Sequence, residues 1–264
     1  MSLPIKKLYI DSRYRTPDSN STSSFKFQIT RNIQLPKNTV FYLEDICIPN
    51  TWLTVETNIN DKLYIKLPDG TVKTVTISPS QYTAPMLATE LNTKINAQSF
   101  SCTVSSDNIM NNITITAPNQ FYLLTDDDVN NTMKPANGPQ SLNAILGNIT
   151  GSSPLYGPNY PFVSGFLQLT HNDVYITSPN LGTYTTLGPR GEMNILRKVP
   201  VTSAYGYLIV DQSTSNHAYL DCSEQTLNTL EFEIRDVTGK VVNLHGHHVS
   251  FAFVFAAHSE DGPR

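Results

Sequence analysis

The sequence predicts a mainly β protein, a β-sandwich interrupted by a small inserted module. Composition is the first observation behind this, because charged residues make up only 15% of the chain. Ser, Thr, Asn, Pro and Tyr are frequent, which is typical of strands joined by long polar loops. A strand that is apolar on both faces and a series of short extended segments are the other two observations. At 264 residues the chain can hold one large all-β domain or two smaller ones.

The segment 230–255 has the strongest β pattern. Leu230, Phe232 and Ile234 alternate with charged residues, which is the period of a strand with one wet face. A reversal containing glycine follows at 236–240. Large apolar residues then alternate with mostly small ones over 249–256, so both faces of this second strand are suited to burial. This pattern predicts a strand inside a packed sheet and not at a free edge.

The chain before residue 58 predicts a short extended segment at 8–13 and two longer strands. The segment 25–30 alternates cleanly, and 39–48 is a more apolar strand. Residues 15–24, rich in Ser, Thr, Pro and Asn, are expected to form a loop or mobile arm. Trp52, the single tryptophan, is predicted as a core anchor and not as a ligand platform.

The sequence pattern of residues 58–150 differs from that of the preceding segment and predicts an inserted module of ββαββ type. Two strands flank the turn at 68–70, which is a strong hairpin pattern. Thr83 as N-cap, Pro85 in the first turn and an apolar stripe predict a helix to about residue 95. A second strand pair is expected at 100–104 and 113–115, with a third strand possible at 121–124. Residues 141–147 are expected to form a helical turn ended by glycine.

The remainder returns to short strands, after a Gly-, Pro- and Ser-rich stretch at 147–161. Five further strands are predicted, at 166–169, 174–177, 194–199, 205–210 and 218–220. With the strands before the insertion and those at the C-terminal end, the sandwich has about eight. Eight is the strand count of a jelly roll. The predicted fold is therefore a single eight-stranded jelly roll, built from 1–57 and 151–264, with the module inserted at 58–150.

Motifs of catalysis are absent from the sequence. It has no nucleophile elbow, no Gly-rich phosphate loop and no HExxH. Cys47, Cys102 and Cys222 have neither metal nor redox spacing, and are predicted to be reduced thiols in apolar surroundings. The sequence therefore predicts no enzymatic activity and no cofactor.

Two clusters contain metal-ligating residue types, but neither is predicted to bind a metal. The run 126–128 is three aspartates without the ligand spacing of an EF-hand, and is predicted to be a solvated turn. His245 and His247 would share one face of a strand, with His248 beside them. Because no carboxylate or cysteine lies close in sequence to complete a site, no metal is predicted there.

Charge is uneven along the chain. Residues 1–37 contain seven Lys or Arg and two Asp or Glu, a net charge of +5, whereas the remainder has a net charge of −9. Lys6, Lys7, Arg13 and Arg15 are the candidate inner basic arm, which could contact a polyanion non-specifically. Asp11 with Arg13 is either a surface ion pair or a contact between subunits, and the residues alone leave both open.

No apolar run approaches the roughly 20 residues of a membrane helix. The residues after Lys6 and Lys7 do not resemble a signal peptide. Synthesis in the cytosol without secretion, and no membrane span, are therefore expected.

Several segments together resemble a known family. They are Tyr9-Ile10-Asp11-Ser12-Arg13, Phe25-Lys26-Phe27-Gln28-Ile29, the helix 82–96, the turn 142–147, and Leu230-Glu231-Phe232-Glu233-Ile234-Arg235-Asp236 with Gly239, Leu244, Gly246 and Ser250-Phe251. Their order is similar to that in penton (minor capsid) proteins of virophages and related Polinton-like double-stranded DNA viruses.

This resemblance implies a structural virion protein without catalytic residues. One jelly roll would stand upright in an icosahedral shell, and five copies would close each five-fold vertex. The implied partners are the other copies of a homopentamer, the major capsid protein, and packaged DNA at the basic arm. The inserted module would project outward, where it could bind a host receptor.

Two other functions remain open. A carbohydrate-binding or host-attachment jelly roll would use exposed Trp and Tyr platforms. A cupin-like, sugar-modifying enzyme would need a metal at His245, His247 and His248. A ring of five needs two complementary surfaces on each copy, for which the sequence offers tyrosines over 160–220: Tyr175, Tyr184, Tyr205, Tyr207 and Tyr219.

Overall fold

The structure, a computed structural model, describes residues 3–148, 150–181, 186–212 and 219–257. Most regular elements in these ranges are strands. In chain order the strands are β1 (Lys7–Asp11), β2 (Ser24–Gln34), β3 (Thr39–Pro49), β4 (Lys62–Lys66), β5 (Val72–Thr76), β6 (Thr103–Asp107), β7 (Asn112–Thr116), β8 (Phe121–Leu123), β9 (Leu155–Tyr156), β10 (Phe162–Val163), β11 (Asp173–Thr177), β12 (Ile195–Pro200), β13 (Leu208–Asp211), β14 (Leu220–Asp221), β15 (Thr226–Arg235) and β16 (Ser250–Ala257).

Helices are few and lie mostly in the middle of the chain. They are α1 (Ala84–Ala97), α2 (Asp126–Thr132) and α3 (Asn143–Leu146), with a 3-10 turn at Ser12–Tyr14. Helix α1 begins after Thr83 with Pro85 in its first turn, as the sequence predicts. Helix α3 ends at Gly147, whose φ of 72° is in the left-handed region that favours glycine.

The chain divides into two compact units, 1–52 with 171–264, and 53–170. The first unit contains two antiparallel sheets. One has the strand order β1-β16-β3-β13, with β14 also paired to β3, and the other has the order β12-β11-β15-β2. We call them the first and second sheets. The mainly β fold predicted from the sequence is confirmed, and its antiparallel sheets are consistent with the predicted β-sandwich.

A single apolar core joins the two sheets of this unit. Phe232 of the second sheet is fully buried. Its ring lies 5.1 Å from that of Phe251 and 5.7 Å from that of Phe253, both on the first sheet. Phe25 adds a fourth ring, 5.5 Å from Phe232. These aromatic contacts fix the packing of one sheet on the other.

Strand β16 lies inside its sheet, as its two apolar faces predict. It pairs with β1 on one side and β3 on the other, both antiparallel. Phe251, Phe253 and Phe255 point into the core. On the opposite face Ala252 is fully buried as well.

The second unit has its own core and two further sheets, in the orders β5-β4-β8-β9 and β10-β7-β6. Helix α1 contributes Leu87, Leu91 and Ile95 to this core, all fully buried. The hairpin of β4 and β5 turns at 68–70, where Gly70 has a φ of 89°. This positive φ explains the need for glycine at the turn.

The second unit is longer than the predicted inserted module at both ends. Strand β9 pairs with β8 and β10 pairs with β7, so residues that composition assigned to a return loop belong to its sheets. The strand predicted at 166–169 is wrong: these residues are irregular, and Phe166 is 74% exposed. Two other predicted positions lie outside the described residues. They are Tyr184, one of the tyrosines suited to a subunit contact, and Ala218, the first residue of the strand predicted at 218–220.

Candidate functional site

The turn after β1 contains the Asp11–Arg13 pair that the sequence singled out. Asp11 caps the 3-10 turn and accepts the backbone N–H of Arg13 at 2.9 Å. The Arg13 guanidinium donates to both oxygens of the same carboxylate, with Nε 3.0 Å from each. These hydrogen bonds from Arg13 lower the pKa of the Asp11 carboxyl. The pair therefore shapes a local turn, while Arg13 stays largely exposed.

The same turn is attached to the loop before β16. Ser12 is fully buried, and its hydroxyl accepts the backbone N–H of Val249 at 3.0 Å. His248 places Nδ1 3.3 Å from that hydroxyl. These hydrogen bonds attach the residue after Asp11 to the loop before β16.

The candidate basic residues belong to the same folded region. Lys7 lies on β1, and its ammonium is 2.5 Å from Glu44 on β3 and 3.8 Å from Asp45. Arg15 donates to the carbonyl of Ser12 at 3.2 Å. Lys6 is exposed, and its carbonyl accepts the N–H of Phe255 at 2.9 Å. Acidic neighbours therefore compensate Lys7 and Arg13, whereas Lys6 presents its charge to solvent.

The three histidines do not converge. Nδ1 of His245 is 2.7 Å from the carbonyl of Thr51, whereas Nδ1 of His247 is 3.2 Å from the carbonyl of Leu244. Segment 243–249 is also not a strand, so the prediction that His245 and His247 share a strand face is wrong. A φ of 49° at His245 and 81° at Gly246 turns the chain there.

The acidic run 126–128 is not a solvated turn, which corrects the sequence prediction. It forms the first turn of α2, capped by the Thr125 hydroxyl. Its carboxylates bind the chain around it. Asp126 accepts from Asn143 at 2.7 Å, Asp127 from the N–H of Gly151 at 2.9 Å, and Asp128 from the N–H of Ser153 at 2.8 Å. The missed signal was Thr125, an N-cap residue followed by acidic residues in a first helical turn.

Trp52 and the three cysteines, which the sequence predicts to be in apolar surroundings, differ in how deeply they are buried. Trp52 is 2% exposed, and its ring lies 5.8 Å from that of His171. Cys102 and Cys222 are buried free thiols, whose pKa values burial raises to about 11 and about 12. Cys47 is also a free thiol but is only half-buried.

Within the described ranges, no group of three His, Cys, Asp or Glu side chains is placed to hold a metal ion. None of the helices described is long and apolar enough to cross a membrane. Sequence reasoning did not foresee the pairing of Lys7 with Glu44, because only the order of the strands brings them together.

Comparison with known proteins finds a similarity in structure. No protein-family model matches the chain, and no curated protein matches it. Its structure is similar to the crystal structure of the mavirus penton protein, with a TM-score of 0.52 and 12% sequence identity. The match covers 96% of this chain and 99% of that chain. The chain therefore has a fold similar to that of the mavirus penton protein over nearly its whole length.

Proposed function

We propose that this chain is a penton, a structural virion protein that forms the five-fold vertices of an icosahedral capsid. The observation that carries the proposal is the fold similarity to a penton protein, which extends over almost the full length of both chains. A similarity of this extent includes both compact units and not only a common sandwich. The sequence resemblance to virophage pentons, noted on separate segments, points the same way.

The proposed sandwich is a single eight-stranded jelly roll. Strands β13 and β14 pair with opposite ends of β3, at 46–49 and 40–41, and so occupy one strand position. Each sheet then has four strands. Neighbouring strands in the sheets come from distant parts of the chain, such as β1 beside β16, which supports a Greek-key connection and not a meander.

The role proposed is non-enzymatic. The similar structure is that of a penton protein, and the polar side chains that the sequence singled out serve as caps, ion pairs and loop contacts. The Asp11–Arg13 pair is proposed to lie at a contact with a neighbouring capsid subunit, because it is hydrogen-bonded within its turn while Arg13 is 65% exposed. Lys6, Lys7, Arg13 and Arg15 are proposed to form an inner basic arm. Lys6 and Arg15 would face packaged DNA with a weak, salt-dependent attraction, since Lys7 and Arg13 already pair with acidic neighbours.

The unit 53–170 is proposed to project outward from the shell, where it could meet a host receptor. A carbohydrate-binding jelly roll is the rival function. The burial of Trp52 removes the tryptophan platform that such a protein would use. The proposed partners in the shell are four further copies of the chain and the major capsid protein, and the proposed location is the virion.

The test is the mass of the purified full chain, measured by light scattering after size exclusion at several protein and salt concentrations. A single copy has a mass of 29.3 kDa. We expect a species of five copies, because a ring of five closes by one repeated heterologous contact. That contact should bury more than about 1,000 Å² if it is stable alone.

A mass other than that of five copies either contradicts the proposal or calls for a second experiment. A dimer or a trimer would overturn a five-fold role. If the chain is monomeric, cryo-electron microscopy of particles assembled with the major capsid protein decides. Density for this chain away from the vertices would refute the proposal.

A further inference from the structure

The outward side of the first sheet is unusually apolar. Its inward side chains, such as Ile10, Leu43 and Ile209, belong to the core, so their neighbours on each strand point outward. We define the outer apolar face by five outward residues of this sheet and its border, Tyr9, Tyr42, Leu208, Val210 and Tyr219. Tyr9 is 68% exposed, Leu208 57%, Val210 49% and Tyr219 41%.

The centre of the outer apolar face is formed by a small side chain. Ala252 on β16 lies between Tyr9 on β1 and Glu44 on β3 in the pairing register, and its small side chain is fully covered. The rings of Tyr42 and Tyr219 meet edge to face, with centroids 5.3 Å apart. Rigid aromatic groups of this kind are enriched at protein–protein contacts.

The charged groups beside the outer apolar face are partly paired. Lys7 reaches across β16 to Glu44, with Nζ 2.5 Å from Oε2, and the same Nζ lies 3.8 Å from Asp45. One ammonium therefore faces two carboxylates, and it also lies 5.7 Å from the centroid of the Tyr9 ring. Burying this face would leave neither Lys7 nor Glu44 as an unpaired charge, and an unpaired buried charge is the most costly case.

The second sheet provides an internal comparison. Its outward side has alternating charges, with Arg235 and Glu233 2.5 Å apart and Lys198 and Asp173 3.0 Å apart. This is the usual outer face of an antiparallel sheet in water. The two faces of one sandwich thus differ in kind, and only the first has an apolar surface suited to a contact.

The size of the outer apolar face fits a protein partner. From their exposed fractions, Tyr9, Leu208, Val210 and Tyr219 present roughly 400 Å² of surface, taking about 150–250 Å² for a large side chain. One partner in a standard interface contributes about 800 Å², of which a little over half is apolar. The face therefore supplies nearly the whole apolar share of one such surface.

The proposed ring of five makes a second copy of the chain that partner. Each copy has a formal net charge of −4, so the apolar contact, and not the net charge, must supply the attraction between copies. Resting on the proposed five-membered ring, we infer that the outer apolar face is one of the two surfaces through which neighbouring copies bind. The contact is heterologous, so this face meets a different surface of the next copy.

The test compares Val210→Asp on this face with Val163→Asp, a control on β10 of the other unit. The two valines are matched in exposure, at 49% and 52%. We expect Val210→Asp to weaken self-association at least tenfold by light scattering, and Val163→Asp to leave it unchanged. Tyr9→Ser is a second variant on the same face, and the circular dichroism of each variant must match that of the natural chain.

Cys47 gives an independent readout of the same surface. It pairs with Val210 in the register of β3 and β13 and is half-buried, whereas the other two thiols are buried. In the natural chain the rate of Cys47 alkylation by iodoacetamide should fall as protein concentration rises. In the Val210→Asp variant the rate should be independent of concentration.

The outcomes separate this inference from the proposed function. A pentamer that survives both Val210→Asp and Tyr9→Ser overturns the assignment of this face and leaves the penton role intact. A natural chain that forms only dimers or trimers overturns the penton role. A monomer whose Cys47 reacts equally fast at all concentrations shows that copies do not meet at this face, and overturns the inference.

Discussion

Arg197 and Asp211 join the two sheets of the sandwich at one edge. Arg197 lies on β12 of the second sheet and Asp211 on β13 of the first. Nη2 and Nε of the guanidinium are 2.9 and 3.0 Å from Oδ2 of the carboxylate. Both side chains are largely buried, at 17% and 10% exposure. The pair therefore closes an edge at which no backbone hydrogen bonds connect β12 with β13.

Arg197→Met should lower the free energy of unfolding by about 3 kcal/mol, because it removes a positive charge and two hydrogen bonds from a mostly buried carboxylate. Urea denaturation followed by Trp52 fluorescence measures this, since Trp52 belongs to the same unit. Arg13→Met is the matched control, an Arg–Asp pair with a 65% exposed arginine, and should cost less than about 1 kcal/mol. Equal losses in the two variants would contradict the role given to the edge pair.

Phe232→Ala should destabilise the sandwich by about 3–5 kcal/mol, because it empties space between three other phenylalanine rings. The same fluorescence measurement applies. Tyr14→Ala removes an aromatic ring of the same unit that is 75% exposed, and should change stability by less than about 0.5 kcal/mol. A small effect of Phe232→Ala would show that the two sheets do not share the core described.

The Asp18 carboxyl should titrate at an unusually low pH. The hydrogen bond from Lys26, at 2.8 Å, lowers its pKa from 3.8 to about 2. A depressed pKa in the folded state stabilises the fold above about pH 4, and this contribution is lost as the pH falls from 4 to 2. Carboxyl carbon chemical shifts followed by NMR give the pKa directly. In Lys26→Met the value should return towards 3.8, and an unchanged value would rule out Lys26 as the cause.

The loop around Ser153 should depend on Asp128 and not on calcium. Asp128→Ala removes the acceptor for the Ser153 N–H, so hydrogen exchange in 150–155 should accelerate by tenfold or more. Exchange in the β4–β5 hairpin serves as the control and should not change. Calcium or EDTA should shift the melting temperature of the natural chain by less than about 1 °C. A calcium-induced rise that Asp128→Ala abolishes would instead indicate a metal site.

The local sequence pattern was sufficient to predict the long strands and helix α1. Alternation located β2, β3 and β15, and the apolar faces of β16 placed it inside a sheet. Pattern failed where the elements are short. Strands β9 and β10 have two residues each and are fixed by partners far away in the sequence, within a stretch whose glycines and prolines favour a loop.

The candidate surfaces depend on information that a sequence does not display. Tyr9, Tyr42 and Val210 come from three strands, and nothing local in the sequence places them on one face. The histidines show the opposite error, because their regular spacing suggested a strand where Gly246 turns the chain. In both cases the pairing of distant strands decides which side chains are neighbours.

The position of β16 also determines when the protein can be completed during its synthesis. The first sheet needs β16 between β1 and β3, so the ribosome must release every residue up to β16 before this sheet can close. Until then the inward residues of β3, such as Phe41, lack the strand that covers them. The segment 53–170 has its own core and all its sheet partners within it, so it can fold while the remainder is still being made. A nascent chain therefore carries a folded insertion on an incomplete sandwich, and the arrival of β16 ends the exposure of β3 to aggregation.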